Sequence, residues 1–230
     1  NLFVRNAIAL SIGGGNRPQE EGVIADVRGN VILDGRDIDS RNPRGFGLWL
    51  ANISGGRVAC NVIAANLGGS RPCAITLEGR HKGDERASIG VHGLELDHNV
   101  IWEWGGGIEI HGGASDVTRI GMTGNAMRES RSRRPLVAHD DASCKPSVKT
   151  SENCFFSKCG PTGMGSASQS PSFPDPERDL ASYDRSIGGD GTVAGFLARC
   201  RETSKRQWRP ELTAVAVNRY VRAGFGIEFE

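Results

Sequence analysis

The chain has 230 residues, enough for one sizeable domain with or without a small appendage. Its 28 basic and 27 acidic residues leave a formal net charge of +1, so it lacks the basic footprint of a nucleic-acid binder, and nucleic acid is not an expected partner. No apolar run approaches the roughly 18–20 residues that cross a bilayer, and no charged-then-apolar signal segment opens the chain, so no membrane span is expected. Glycine is abundant at 32 residues and aromatics make up only 6%, which suits a fold with many tight turns.

Taken in chain order, six segments share one pattern: an apolar residue, two variable residues, an asparagine, a small or β-branched residue, then a large apolar one. They run from Phe3 through Asn6 to Ile8, Val27 through Asn30 to Ile32, and Val58 through Asn61 to Ile63. The others are Leu96 through Asn99 to Ile101, Met122 through Asn125 to Met127 and, degraded, Thr150 through Asn153 to Phe155. The asparagines are spaced by 24, 31, 38, 26 and 28 residues. A fixed pattern at variable spacing implies one structural turn per repeat, with insertions confined to loops. Asparagine tolerates the left-handed conformation of a sharp bend, and its amide can bond to the coils above and below, so a ladder is expected.

Each repeat carries a second strand: Ile8–Ile12, Leu48–Ala51, Ile75–Glu78, Ile108–His111 and Leu136–His139. Their alternation of apolar and outward residues is that of a strand with one buried face. Such strands bury their apolar faces only by stacking in parallel, about 4.8 Å apart, around a shared core. The expected architecture is an all-β solenoid, a parallel β-helix of about six coils over residues 1–159. The chain starts inside a repeat, so upstream coils or another molecule are expected to cap it.

Residues 160–177 are rich in Gly, Ser and Pro and read as a surface connector. A small α-helical C-terminal cap is expected over 178–230. Thr192 can N-cap a helix in which Val193, Phe196, Leu197 and Cys200 form one apolar stripe. A second helix starts at Pro210, continues through Val217, Tyr220 and Val221, and stops at Gly224. Two short helices do not fold alone, so they should pack, with Trp208 and Phe225, against the end or flank of the solenoid.

None of the six cysteines is spaced C-x-x-C, which argues against a zinc cluster or a thioredoxin-type pair. Disulfides are the expected use, Cys60 with Cys73, a pairing within Cys144, Cys154 and Cys159, and Cys200 tying the tail to the body. The alternative is a set of buried free thiols.

In these repeats the chain resembles the right-handed parallel β-helix proteins of the pectate-lyase-like superfamily. More narrowly, it looks like the C-terminal portion of a larger secreted bacterial β-helix protein. The resemblance implies a secreted or cell-surface location and action on polysaccharide, as a lyase or a glycoside hydrolase if the chain is an enzyme. No segment matches a catalytic signature of a characterised lyase, and repeat motifs identify a fold and not a reaction.

Candidate chemistry follows from stacking the second strands. One outward column is expected to contain Trp49, Thr76, Glu109 and Val137, and its neighbour Ala51, Glu78, His111 and His139. Glu78, Glu109, His111 and His139 are therefore the candidate acid–base residues, with Asp140 and Asp141 just beyond. The same carboxylates and imidazoles can alternatively hold a metal, although no spacing specifies one, and the sequence leaves any cofactor unknown. Arg80, Lys82 and Arg86 lie in the insertion 79–86, where they can bind the carboxylates of an acidic sugar. Trp49, Trp102 and Trp104 can stack on sugar rings, although burial would make the last two packing residues. A single sequon, Asn52-Ile-Ser54, is present. The leading expectation is a protein that binds polysaccharide along its sheet face. The alternative is a non-catalytic solenoid whose partners are neighbouring copies of itself, stacked end to end in an extracellular fibre or surface layer.

Overall fold

The computed structural model describes residues 1–13, 22–35, 45–65, 73–79, 89–129, 136–139, 141–157, 178–202 and 209–227. Its strands wind into three parallel sheets. The first sheet stacks Leu2–Val4, Val31–Leu33, Val62–Ala64, Val100–Trp102, Ala126–Glu129 and Cys154–Ser157 in that order. The second stacks Ile8–Ile12, Phe46–Ala51, Ile75–Glu78, Ile108–His111 and Val137–His139. In the third, Val23–Arg28, Ile53–Ala59, Leu94–Asp97, Ile120–Thr123 and Val148–Ser151 stack, with Val91–His92 and Val117–Thr118 as short additional strands. The parallel solenoid expected from the repeats is therefore present. Its complete coils are fewer than the six expected among the described residues, since the second sheet has only five strands and the third stacks five long strands with two short additional ones.

Each coil has three sides where two strands per repeat were expected. The asparagine motif straddles the corner between the third and first sheets. Its leading apolar residues, Val27, Val58, Leu96, Met122 and Thr150, are rung neighbours in the third sheet. Its trailing ones, Ile32, Ile63, Ile101, Met127 and Phe155, are rung neighbours in the first. Both sets point inward and, except for Thr150, belong to one continuous core. Leu48, Ile75, Ile108 and Val137, and beside them Leu50, Leu77 and Ile110, close that core from the second sheet.

The asparagine ladder runs along the corner. The amide nitrogen of Asn30 donates to Asn61 Oδ1 at 3.0 Å, Asn61 to Asn99 at 3.0 Å, Asn99 to Asn125 at 3.0 Å, and Asn125 to Asn153 at 2.9 Å. Each of these acceptor oxygens also takes the backbone N–H of the asparagine one coil away. Two details differ from the sequence reading. The ladder continues to Asn1, which donates to Asn30 at 3.2 Å, and not to Asn6. The segment Phe3–Ile8 matches the pattern by coincidence, because Phe3 is the rung neighbour of Ile32 and so already lies past the corner. The left-handed residue is also not the asparagine but the one before it: Gly29, Cys60, His98, Gly124 and Glu152, with φ of 64°, 56°, 52°, 61° and 55°. A second left-handed column, Arg5, Asp34, Ala65 and Glu103, turns the chain out of the first sheet.

Strands of the first sheet are apolar on both faces, as Val31-Ile32-Leu33 illustrates, and need a cover on the outside. Helices α1 (Leu180–Ser186), α2 (Val193–Glu202) and α3 (Ala214–Gly224) supply it. Leu180, Tyr183, Phe196, Leu197, Leu212, Val217 and Val221 join Val31, Leu33, Val62, Ala64, Val100 and Ala126 in a second apolar cluster. The helices thus pack on the flank of the solenoid and number three where two were expected. The first is set by a capping box, in which Asp179 accepts from the Ser182 N–H at 2.9 Å and the Ser182 hydroxyl accepts from the Asp179 N–H at 2.9 Å. Thr192 caps α2 as anticipated, accepting from Gly195 N–H at 2.9 Å. The last helix starts at Ala214, capped by Thr213, and not at Pro210, because Pro210–Leu212 forms a separate 3-10 turn. Beyond α3, Gly226 at φ 72° lets the Ile227 N–H reach Arg222 O at 3.1 Å and its own N–H reach Ala223 O at 3.2 Å, a Schellman stop two residues past Gly224.

The cysteines follow the alternative and not the disulfide expectation. No disulfide joins Cys60, Cys73, Cys144, Cys154 or Cys200, and Cys159 lies outside the described residues. The stacking separates them: Cys60 sits at the asparagine corner, while Cys73 leads into the second sheet and Cys144 is in the core. Burial pushes the Cys200 thiol up to about 12, against a lowering pull from Arg199 and with a raising one from Asp184.

Candidate functional site

The outer face of the second sheet carries the residues singled out from the sequence. Strand alternation turns Leu48, Leu50, Ile75, Leu77, Ile108 and Ile110 inward, so the residues between them face out. Trp49, Thr76 and Glu109 occupy one rung column, and Ala51, Glu78 and His111 the next. This is the expected arrangement for three successive coils.

The fourth coil differs by one residue. Val137 is the rung neighbour of Ile108, Ala138 of Glu109 and His139 of Ile110. His139 therefore extends an inward column at the sheet edge and does not stand above His111. The sequence reading matched Leu136 to Ile108, since both are apolar and both are buried; the structure places Leu136 one residue earlier, its carbonyl accepting from the Ile108 N–H at 2.8 Å. A one-residue slip moves every side chain of a strand to the other face.

Glu109 is the centre of the cluster. Its Oε2 lies 3.4 Å from His111 Nε2 and accepts a hydrogen bond from the Cys73 thiol at 3.2 Å. The carboxylate and imidazole are 30% and 29% exposed, open enough for a substrate and closed enough to limit solvent screening. Cys73 is 4% exposed and Thr76, one coil away from Glu109, 3%. The carboxylate is thus held from a buried thiol on one side and an imidazole on the other. The sequence suggests Cys73 only as a disulfide partner of Cys60 and not as a site residue, since its approach to Glu109 spans 36 residues and comes only from coil stacking. Trp49 is half-buried on the same column and packs against Phe46, ring centroids 5.8 Å apart.

The other aromatic candidates lie elsewhere. Trp104 is 1% exposed and part of the central core, and Trp102 packs with the helical layer. Neither shares a face with Glu109. Asn52 of the sequon is buried, donating to Gly13 O at 2.8 Å and accepting from Ile89 N–H at 3.1 Å, so the folded chain does not present it as a glycan acceptor. Arg80, Lys82, Arg86, Asp140 and Trp208 lie outside the described residues. Among the described residues no group of three or more His, Cys, Asp or Glu side chains is arranged to hold a metal, and no helix is long and apolar enough to cross a membrane.

A paired carboxylate and imidazole on a half-open sheet face can take up and return a proton within one bound substrate. No protein-family model matches the chain, and no match was found among curated proteins or solved structures.

Proposed function

We propose that this chain is an extracellular, pectate-lyase-like β-helix that binds a polysaccharide across the outer face of its second sheet and cleaves it with Glu109 and His111 as the acid–base pair. The observation that carries the reading is the contact of Glu109 with both His111 and the buried Cys73, on the column that also bears Trp49. A polysaccharide offers what such a strip requires: rings to lie against an indole, and a proton or glycosidic oxygen for a carboxylate and imidazole to act on. Glu78, next to His111 on the neighbouring coil, adds a second carboxylate within the strip. Arg80, Lys82 and Arg86 follow directly in the sequence, and cations there favour an acidic polymer.

The test is incubation with acidic and neutral polysaccharides while reducing ends and the absorbance of unsaturated products are followed. Depolymerisation of one of them is expected, with Glu109→Gln and His111→Ala each slowing it by about 100-fold or more at unchanged circular dichroism. Intact polymer across the whole panel, or variants as active as the parent, would rule the reading out.

A further inference from the structure

Away from the second sheet, a cleft of about 430 Å³ opens between the C-terminal end of α3 and the corner joining the third and first sheets. Arg57, Cys60, His98, Arg222, Phe225 and Ile227 form the parts of its lining that matter here. Helix α3 docks through Val217 and Val221, at 0% and 1% exposed, and Arg222 follows at 1%. Arg222 shares this seam with the buried Asn218 and with Cys60; taking a guanidinium out of water is costly, and burial lowers its pKa despite opposing pulls from the charge and hydrogen bond of Cys60 and the charge of Asp97.

Asp97, the carboxylate that acts on Arg222, is shared. It accepts from Arg57 Nε at 2.6 Å and from His98 Nδ1 at 2.8 Å. Glu152, the other carboxylate at the cleft, is exposed. The negative end of α3 is partly neutralised by the Schellman stop, whose N–H groups occupy Arg222 O and Ala223 O. The cleft therefore joins a buried cation, two further basic side chains and an apolar wall of Phe225 and Ile227 at a volume typical of small-molecule sites.

We propose that this cleft binds a small organic carboxylate, its charge on Arg222 and its apolar body against Phe225 and Ile227. A monoanion suits it better than a phosphate, because Glu152 and the helix end oppose a second negative charge and the apolar wall needs a partner.

The test uses the full chain and 3-phenylpropionate as probe, with its uncharged amide as control, in titration calorimetry. Saturable binding of the acid is expected, with the amide about tenfold or more weaker and Arg222→Gln binding neither. As Arg222→Gln can also undock α3, a second measurement needs no variant. Cys60, half-buried in the same wall, should be alkylated by iodoacetamide more slowly in the presence of saturating acid and at an unchanged rate with the amide. Equal binding of acid and amide, absence of binding, or absence of protection would overturn the proposal.

Discussion

Asn99 shows how one side chain can serve three coils. It is fully buried, donates to Val58 O at 2.8 Å and to Asn125, and accepts from both the backbone and the side chain of Asn61. Asn99→Ala leaves buried donors on Asn61 unmatched and removes one of the two donors to Asn125 Oδ1, which should cost about 2–4 kcal/mol in urea unfolding. Asn1→Ala, at the exposed end of the same ladder, should cost about 1 kcal/mol or less. A comparable loss at both positions would mean that the ladder is not the source of the effect. Asp97 sets a pH dependence. Burial works to raise its pKa, but hydrogen bonds from His98 and Arg57, together with the charges of Arg57 and His98, outweigh it and hold the carboxyl below its usual range. A depressed folded-state pKa contributes stability that is present above the unfolded-state value and lost as the pH falls through the folded-state one. Asp97→Asn should therefore reduce stability at neutral pH and flatten the acid limb of the stability–pH curve, read from urea midpoints between about pH 7 and 2.5.

At the scale of elements, the outer face of the first sheet and the three helices need each other. Val31, Leu33, Val62, Ala64 and Val100 would face water without the helices, and α1 and α2, at 7 and 10 residues, are too short to persist alone. Polar contacts fix the position of α3 on that surface, as Asn218 Nδ2 donates to Cys60 O at 2.7 Å. Leu197→Ala, at 0% exposure in the shared cluster, should cost about 2–5 kcal/mol and raise amide exchange in α1, α2 and α3 together. Faster exchange confined to α2 would show that the helices do not dock as a unit. Left-handed corners impose a second element-level demand. Gly124 has φ 61°, and a Cβ there would lie 2.7 Å from His98 Nε2, so this corner accepts no side chain while the imidazole keeps its place.

For the whole molecule, stability should be distributed along the stack, since each coil bonds only to its neighbours. The strands Leu2–Val4 and Ile8–Ile12 are half-buried, whereas the first-sheet strands Val31–Leu33 and Val62–Ala64 are fully buried. Native-state hydrogen exchange should therefore be slowest in the middle coils and fastest in the first. Uniform protection would instead indicate a single cooperative unit. The candidate site depends on the same stacking: Glu109, His111 and Cys73 approach one another across coils that the chain visits about thirty-six residues apart.

Much of this was legible in the sequence. Alternating apolar residues specify strands with one buried face, and a recurring asparagine between apolar positions specifies a stack, because both patterns report what each residue needs locally. The rungs from Leu48 to Ile110 and the ladder from Asn30 to Asn153 were determined in this way. The start of α3, the register of Val137–His139, the third side of each coil and the absence of a disulfide among the described cysteines were decided by tertiary structure. In each case several local solutions satisfy the same pattern: Leu136 and Val137 are both apolar, Phe3 through Ile8 fits the motif, and a thiol is as compatible with burial as with a bridge. Choosing among them requires knowing which coil lies above which, a property of the packed stack and not of any one segment.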